Sequence, residues 1–255
     1  MMLEAQDLRL GFAGKVVIDR LSLRLPAGQM TAIIGPNGCG KSTLLRGLAR
    51  LLRPMAGRVL LEGCDINALP TRQVARRLAL LPQSPIAPEG ISVADLVARG
   101  RAPWRGPFGL GPADRDAVAH ALAVTGLAAH GARPLSALSG GQRQRAWIAM
   151  ALAQDTPLLL LDEPTTWLDL PHQVELLSLL QRLRAGRGRT VVTVLHDLGL
   201  AARFADHVVV VAGGAILAEG PPAEVVTPDT LRAAFGLEAV VIPDPVAGTP
   251  LVVPK

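Results

Sequence analysis

Residues 35–42 read Gly-Pro-Asn-Gly-Cys-Gly-Lys-Ser, and this stretch decides the fold. Gly35 and the run Gly40-Lys41-Ser42 fit the spacing of a phosphate-binding loop, G-x-x-x-x-G-K-[ST]. Glycines let successive backbone N–H groups curl around a phosphate, and the start of a following helix adds partial positive charge. A lysine at this place can reach the outer phosphates of a nucleotide, and a serine hydroxyl can ligate Mg²⁺.

The segments on either side of this loop supply the strand and the helix that the motif requires. Residues 29–34 form a short, mostly apolar run, which predicts a strand. Residues 41–52 combine helical periodicity with good helix formers, which predicts a helix. For the motif alone, an ordinary glycine-rich turn between a strand and a helix is the alternative. The context favours binding of a nucleoside triphosphate.

The composition excludes several classes of protein. A chain of 255 residues is long enough for one domain with a small subdomain. No apolar run approaches the roughly 18 residues of a membrane span, and the first residues do not resemble a secretory signal. Cys39 and Cys64 indicate reduced thiols rather than a disulfide framework. The net charge of +5 comes from scattered arginines, so we expect no nucleic-acid partner.

Strand-like and helix-like segments alternate along most of the chain, which indicates an α/β fold with a mainly parallel sheet. Short strands are expected in residues 2–34, with turns at 13–14 and 26–28, and a Pro-rich tail is expected after residue 235. Between residues 88 and 153 the pattern becomes helical, with Ser92 and Pro112 opening helices around a Gly- and Pro-rich loop. This part is therefore predicted to be a helical insertion.

Two carboxylates follow the buried run Leu158–Leu161. Ligand sites form at the carboxyl ends of strands in α/β sheets, so Asp162 and Glu163 are candidates for chemistry. In a phosphate-loop protein the first acid can hold Mg²⁺ through water, and the second can deprotonate or orient the attacking water. A solvated turn is the alternative interpretation.

A second candidate site is the segment Leu138-Ser-Gly-Gly-Gln142, which precedes a helical run. Ser139 and Gln142 have the S-x-x-Q spacing of a capping box. A capping box does not explain Gly140 and Gly141, because each glycine in a helix costs about 1 kcal/mol. The pair is understandable if a second nucleotide surface approaches the backbone there. The helix start, the serine hydroxyl and the glycine amides would then form an anion site.

These motifs, with Gln83, Leu168-Asp169 and His196, occur in the order found in ABC (ATP-binding cassette) ATPases, and the chain resembles that family over essentially its whole length. The resemblance implies a P-loop NTPase core of the ABC ATPase type. Residues 1–87 and 154–255 would form this core, with an antiparallel β subdomain. Residues 88–153 would be an inserted helical subdomain that carries the signature motif.

The resemblance also implies the roles of individual residues. Catalytic roles are expected for Glu163 as general base, His196 on the γ-phosphate, Gln83 on the attacking water, and Lys41. Mg²⁺ is expected at Ser42, Gln83 and Asp162. The residues expected to bind ATP are Phe12, Gly35, Pro36, Asn37, Gly38, Cys39, Gly40, Lys41, Ser42, Thr43, Ser139, Gly140, Gly141, Gln142 and Asp169.

Phe12 and Asp169 carry two of the more specific expectations. Phe12 stands where most relatives have the tyrosine that stacks on adenine, and this chain contains no tyrosine. Phenylalanine keeps the stacking face, although a core position is the alternative. Asp169 matches the aspartate that crosses to the partner's phosphate loop. In the family the active unit is a head-to-tail dimer, so a second copy of the chain is an expected partner.

Three stretches resemble the ATPases of iron(III)-siderophore importers, whose near relatives import cobalamin or haem. They are residues 165–169 with 172–173, residues 97–104, and residues 241–250. The resemblance implies a dimeric integral membrane permease as partner and, indirectly, a periplasmic or lipid-anchored binding protein. The chain would lie peripherally on the cytoplasmic face of the inner membrane. Ala102, Trp104 and Phe108 would either contact the permease in a groove near Gln83 or pack locally.

Two other classes of function stay open at this point. The chain could be a soluble cassette ATPase of iron–sulfur assembly, or a cassette of DNA repair or translation. The stretches at 97–104 and 165–169 argue against the first class. Coiled-coil arms or a second cassette, which usually accompany the other class, are not seen.

Overall fold

The computed structural model describes residues 2–106, 109–166 and 168–255, except for the side chain at position 187. The predictions that involve Phe108 and Trp167 therefore lie outside the described residues. The chain divides into two compact units. The first contains the described residues up to Leu69 together with Leu177–Lys255, and the second is Pro70–Leu176.

The regular elements cover most of both units. The strands are β1 (Leu3–Phe12), β2 (Lys15–Leu25), β3 (Met30–Ile34), β4 (Ala56–Leu61), β5 (Cys64–Asp65), β6 (Leu78–Leu81), β7 (Leu158–Leu161), β8 (Thr190–Val194), β9 (His207–Ala212), β10 (Ala215–Gly220), β11 (Ala239–Pro243) and β12 (Pro250–Pro254). The helices are α1 (Lys41–Leu48), α2 (Thr71–Ala75), α3 (Val93–Arg99), α4 (Pro112–Val124), α5 (Gly140–Ala153), α6 (Leu170–Arg187), α7 (Leu198–Phe204), α8 (Pro222–Val225) and α9 (Pro228–Phe235). Among the described residues, no helix is long and apolar enough to cross a membrane.

The first unit contains strands of two sheets. The order β2-β1-β4-β5 forms an antiparallel sheet, as expected for the antiparallel β subdomain. In the other sheet β3 lies between β8 and β9 and is parallel to both, while β10 is antiparallel to β9. Every residue of β3 and β8 is buried. Strands that are covered on both faces read as continuous apolar runs, and this is why their positions were visible in the sequence.

Helix α1 ends earlier than the sequence pattern predicts. The pattern indicated a helix over residues 41–52, whereas the structure ends it at Leu48. Arg50 has a φ of 62°, and the N–H groups of Leu51 and Leu52 both donate to the carbonyl oxygen of Arg46. These bonds satisfy carbonyls of the last turn, so a left-handed residue terminates the helix although glycine is absent there.

The second unit contains the parallel pair β6 and β7 and the helices α2, α3, α4 and α5. Helices α3 and α4 both pack against α5, and α5 also contacts β6. Residues 88–153 are helical where they are regular, apart from isolated bridges. The unit extends beyond them at both ends, and the bounds 88–153 stay a prediction.

A buried ion pair fixes the segment that follows α3. Arg101 Nε donates to Asp114 Oδ1 at 2.9 Å, and Arg101 Nη1 donates to the carbonyl oxygen of Ala153 at 2.7 Å. The indole N–H of Trp104 donates to the carbonyl oxygen of Gln154 at 2.6 Å. The guanidinium carbons of Arg76 and Arg101 lie 4.9 and 5.2 Å from the Trp104 ring centroid. These contacts favour local packing as the role of Trp104.

The C-terminal segment is not the plain Pro-rich tail that the sequence indicated. Strands β11 and β12 form an antiparallel hairpin. Asp244 Oδ1 accepts hydrogen bonds from the N–H groups of Val246 and Ala247, which closes the turn and lowers the pKa of the Asp244 carboxyl. The prolines occupy the ends of the two strands, where a missing N–H costs little.

Candidate functional site

The phosphate-binding loop has the backbone conformation that its glycines permit. Gly35 and Gly40 have φ values of 153° and 108°, which residues with a side chain rarely adopt. A Cβ at Gly35 would overlap with the carbonyl oxygen of Val211, and one at Gly40 would press on the Ile18 side chain. The loop therefore packs tightly against Val211 of β9 and Ile18 of β2, and it leads directly into α1.

Lys41 is held inside this loop. Lys41 is only 5% exposed. Its ammonium donates to the carbonyl oxygens of Gly35 and Pro36 at 2.9 and 3.0 Å. The charge thus lies among the backbone groups of the loop, as phosphate binding by this motif requires. Ser42 and Thr43 follow in the first turn of α1 and are partly exposed.

Cys39 occupies one of the four loop positions that the motif leaves unspecified. Its side chain is buried and its N–H donates to the carbonyl oxygen of Pro36 at 3.4 Å. Asn37 and Gly38 next to it are exposed. Cys39 contributes a backbone N–H to the loop, and its thiol faces the protein.

Phe12 lies at the end of β1 and is paired with Lys15 across the hairpin turn. Its ring is 47% exposed, which excludes the alternative that it is a core residue. An exposed aromatic ring at a turn is a suitable stacking surface for a base. Its contact with adenine stays a prediction.

In the second unit, β7 ends in the two predicted acids. The N–H of Asp162 donates to the carbonyl oxygen of Leu81 at 2.9 Å, which continues the pairing of β7 with β6. Asp162 is 2% exposed and Glu163 is 9% exposed. Buried carboxylates are retained only when they are paired or hydrogen-bonded, and the alternative of a solvated turn does not fit this burial.

The structure brings together Gln83 and Glu163, two residues that the family resemblance assigns separately to the attacking water. Gln83 Nε2 donates to Glu163 Oε2 at 2.6 Å, and Thr166 Oγ1 donates to the same oxygen at 3.2 Å. Glu163 has a φ of 52°, a left-handed conformation that is unfavourable for a residue with a side chain. Strained residues of this kind are concentrated at functional sites.

The segment from Ser139 to Gln142 opens α5 with the predicted capping box. Gln142 N–H donates to Ser139 Oγ at 3.3 Å, and Ser139 N–H donates to Gln142 Oε1 at 3.1 Å. Apart from its chain neighbours and the backbone of α5 itself, no described residue lies within 4 Å of a Cβ built on Gly140, and Gly141 would meet only Leu168 at an ordinary distance. Packing within the chain therefore does not require either glycine.

Asp169 is exposed and lies just before α6. It makes a contact with His172 Nδ1, and this hydrogen bond holds the pKa of the Asp169 carboxyl below its ordinary value.

His196, in the first unit, is exposed and follows β8. The N–H of Leu195 donates to the carbonyl oxygen of Ile33 at 3.1 Å, and Asp197 caps α7, so the backbone on both sides of His196 is fixed.

Sequence reasoning missed the side chains that bond to Glu163, Pro164 and Leu168. Gln144 Nε2 donates to the carbonyl oxygen of Pro164 at 3.0 Å, and Gln173 Nε2 donates to that of Leu168 at 2.8 Å. Thr166, described above, is the third such residue. Glutamines that bond to a distant backbone carbonyl leave no spacing pattern in a sequence, so only the structure identifies them.

The residues of each unit fit the groups they were predicted to bind. The loop offers backbone N–H groups, a helix start and a buried ammonium, which suits the phosphates of ATP. Mg²⁺ prefers oxygen ligands. The first unit offers the hydroxyl oxygen of Ser42, and the second offers the carboxylate oxygens of Asp162 and the amide oxygen of Gln83.

Comparisons with known proteins identify a family and several similar proteins. The family model described as ABC transporter matches residues 18–166, more than half of the chain. The petrobactin import ATP-binding protein of Bacillus anthracis is 50% identical over 99% of this chain and 93% of its own length. The ferric enterobactin transport ATP-binding protein of Escherichia coli is 49% identical over 99% and 93%. The cobalamin import ATP-binding protein of Halobacterium salinarum is 42% identical over 100% and 64%.

Solved structures show the same fold. A dimeric ATP-binding cassette in a post-hydrolysis state bound to ADP and Pi superposes with a TM-score of 0.76 at 25% identity, covering 86% of this chain and 98% of the other. CbiO1 from Clostridium perfringens, part of an ABC transporter complex, gives a TM-score of 0.78 at 27% identity over 92% and 95%. The chain belongs to the ABC transporter family and is one of its ATPases.

Proposed function

We propose that this chain is the ATP-hydrolysing subunit of an importer for iron(III)-siderophore complexes. The observation that carries the ATPase assignment is the buried Asp162-Glu163 pair at the end of β7, with Gln83 bonded to Glu163 at 2.6 Å. The siderophore assignment is supported by relatives that are 49–50% identical and of similar length. A cobalamin or haem importer is the nearest alternative, and the cobalamin relative is 42% identical.

The residues divide the reaction between them. Lys41 and the loop amides bind the phosphates, while the Phe12 ring stacks on adenine. Glu163 accepts a proton from the attacking water, and Gln83 orients that carboxylate through its hydrogen bond. His196 contacts the γ-phosphate. Ser42, Gln83 and Asp162 would hold Mg²⁺, which would offset negative charge on the phosphates.

The active unit is a dimer in which Ser139, Gly140, Gly141 and Gln142 of one copy contact the nucleotide bound by the other copy. The absence of any packing partner for Gly140 among the described residues supports this arrangement, because an external surface then explains the glycine. Asp169 reaches the partner's phosphate loop. A cross-link between cysteines introduced at Ser42 and Ser139 tests it.

In a Cys39→Ser, Cys64→Ser background this cross-link should form between chains, only with ATP and with hydrolysis blocked. A cross-link within one chain, or one that forms equally well without nucleotide, would refute the shared site. The interface is twofold, so both copies must react to the same extent.

A groove in the second unit is the proposed contact with the permease. It has a volume of about 360 Å³ and is lined by the residues 85–91, by Leu135 and by the side of α5 that carries Trp147. Ile86 in this groove is 93% exposed, which is unusual for a large apolar side chain. The groove begins two residues after Gln83, so a cytoplasmic segment of the permease bound there lies beside a catalytic residue. The chain would thereby be held at the cytoplasmic face of the membrane.

The ATPase assignment is tested by Glu163→Gln. The amide oxygen can still accept the hydrogen bond from Gln83, but the group cannot take a proton. Hydrolysis should therefore fall by roughly 10²–10⁴-fold, the usual contribution of a positioned base. ATP binding should persist and trap the dimer. Glu224→Gln, which changes an exposed glutamate of α8, is the matched control and should leave turnover unchanged. Near-normal turnover of Glu163→Gln would exclude the role.

The substrate assignment needs the assembled transporter. Uptake of labelled ferric siderophore, haem and cobalamin is compared in cells that carry this chain or its Glu163→Gln variant. Siderophore uptake that depends on Glu163 supports the proposal, and dependence of only haem or cobalamin uptake contradicts it. Activity with no membrane partner in pull-down experiments would favour the iron–sulfur assembly class instead.

A further inference from the structure

His130 ends a short 3₁₀ turn, Ala128–His130, in the second unit. Its backbone is firmly held: the N–H of His130 donates to the carbonyl oxygen of Leu127 at 2.9 Å, and its carbonyl accepts from Arg133 N–H at 3.0 Å. The next residue, Gly131, accepts a hydrogen bond from Ala94 N–H of α3 at 2.8 Å. The imidazole is thus presented from a fixed backbone, and no role has been assigned to it above.

The imidazole contacts the side chain that closes the capping box of α5. His130 Nε2 lies 3.3 Å from Gln142 Nε2, while Gln142 Oε1 accepts the N–H of Ser139. This second bond orients the amide, because the oxygen must face the Ser139 N–H. The amide NH₂ therefore points at the imidazole and is a donor there.

The orientation of the amide determines the protonation of the ring. An NH₂ donor requires an acceptor, so Nε2 of His130 carries a lone pair and the ring proton sits on Nδ1. Nδ1 is buried and makes no hydrogen bond in the described part of the chain. A proton on Nε2 would place two donors face to face, so Nε2 is the acceptor at this contact.

We propose that His130 is a positioning residue for the segment 139–142. Its Nε2 atom accepts a hydrogen bond from Gln142, holds the amide in the orientation that caps Ser139, and so fixes the backbone of the two glycines. This inference rests on the proposed contact of that segment with nucleotide. One neutral hydrogen bond has a net value that corresponds to about a 2- to 10-fold change in an equilibrium.

The first test is spectroscopic and does not depend on activity. With selectively ¹⁵N-labelled histidine, the chain gives five imidazole spin systems, and His130 is assigned by its loss in His130→Gln. We expect the Nδ1–H tautomer for His130, the opposite of the form that dominates for free histidine in water. In Gln142→Leu this preference should disappear. An Nε2–H or doubly protonated ring in the unmodified chain would overturn the proposal.

The second test separates positioning from mere structure. His130→Leu keeps the apolar bulk and removes the acceptor, whereas His130→Gln places an amide oxygen near the position of Nε2. We expect His130→Leu to lower the maximal ATPase rate by about 2- to 10-fold with unchanged affinity for a fluorescent ATP analogue, and His130→Gln to recover most of it. His120→Leu, an exposed change on α4, is the matched control.

Equal loss in both His130 variants, or loss in neither, would contradict a positioning role. Failure of the underlying proposal looks different. If Ser139→Arg keeps full ATPase activity, the segment 139–142 takes no part in the reaction. The tautomer measurement then still decides whether His130 holds Gln142.

Discussion

Asp114→Asn is expected to weaken the second unit more than any exposed change of charge. Asp114 Oδ1 accepts from Arg101 Nε and Oδ2 accepts from the N–H of Gly111, both at 2.9 Å. An asparagine can satisfy one of these donors, but its NH₂ then faces the other. Arg101 would keep its bond to the carbonyl of Ala153 and lose its counter-ion.

The size of the effect follows from the burial of the pair. Loss of a charge-assisted hydrogen bond costs about 1.5–3 kcal/mol, and removal of one partner of a buried ion pair costs about 3–5 kcal/mol. The side chains of Arg101 and Asp114 keep 9% and 11% of their exposure, so solvent screening is weak. We expect the free energy of unfolding to fall by about 3 kcal/mol, where the two ranges meet.

Urea denaturation at neutral pH measures this change. All three tryptophans lie between residues 70 and 176, so intrinsic fluorescence reports on the second unit. The urea midpoint should fall at unchanged slope. Asp229→Asn is the matched control, because its pair with Arg232 is exposed and contributes little. An equal shift in the two variants would refute the reasoning.

The pH dependence provides a second check. The hydrogen bond from Gly111 and then that from Arg101 hold the pKa of the Asp114 carboxyl below its ordinary value. Its contribution is therefore complete above the unfolded-state value of about 3.9 and is lost as the pH falls towards the lowered pKa. The difference between the unmodified chain and Asp114→Asn should shrink only below about pH 4. A difference that already disappears near pH 6 would contradict the assignment.

Five further substitutions test the loop, the glycines and the groove. Lys41→Ala should abolish hydrolysis and weaken ATP binding with an unchanged circular dichroism spectrum, whereas Cys39→Ser should stay active. Gly140→Ala should leave the thermal midpoint unchanged or higher but lower the ATPase rate, because only an external surface meets the new methyl group. Gly100→Ala should destabilise the chain by about 1–3 kcal/mol through overlap with the Met150 carbonyl, as a thermal scan would show. Ile86→Asp should preserve the ATPase rate of the isolated chain and abolish co-purification with the permease.

The sequence predicts strands and helix starts best where one local rule decides the structure. The buried strands β3, β7, β8 and β9 are short, mostly apolar and β-branched or leucine-rich runs. The Ser92 and Ser139 caps follow the side-chain rules for helix starts. The predicted end of α1 was wrong, because Arg50 adopts a left-handed conformation that its residue type does not indicate. The C-terminal hairpin was missed because its prolines suggested an irregular tail.

The candidate site shows the same division. The phosphate loop and the two acids were visible as motifs in a strand and helix context. The bond between Gln83 and Glu163 joins residues 80 positions apart, and only the family resemblance related them beforehand. The contact of His130 with Gln142 depends on a 3₁₀ turn whose direction no periodicity specifies.

The left-handed backbone of Glu163 has a consequence for how the protein can change. A glycine or an asparagine would adopt a φ of 52° with less strain, which for other residues amounts to about 1–2 kcal/mol. Stability and activity therefore favour different residues at this position, since glycine or asparagine would relieve the strain but cannot accept a proton. A search for heat-resistant variants that ignored activity would repeatedly return substitutions of Glu163. Evolution towards a longer-lived protein has to find its gains elsewhere in the chain.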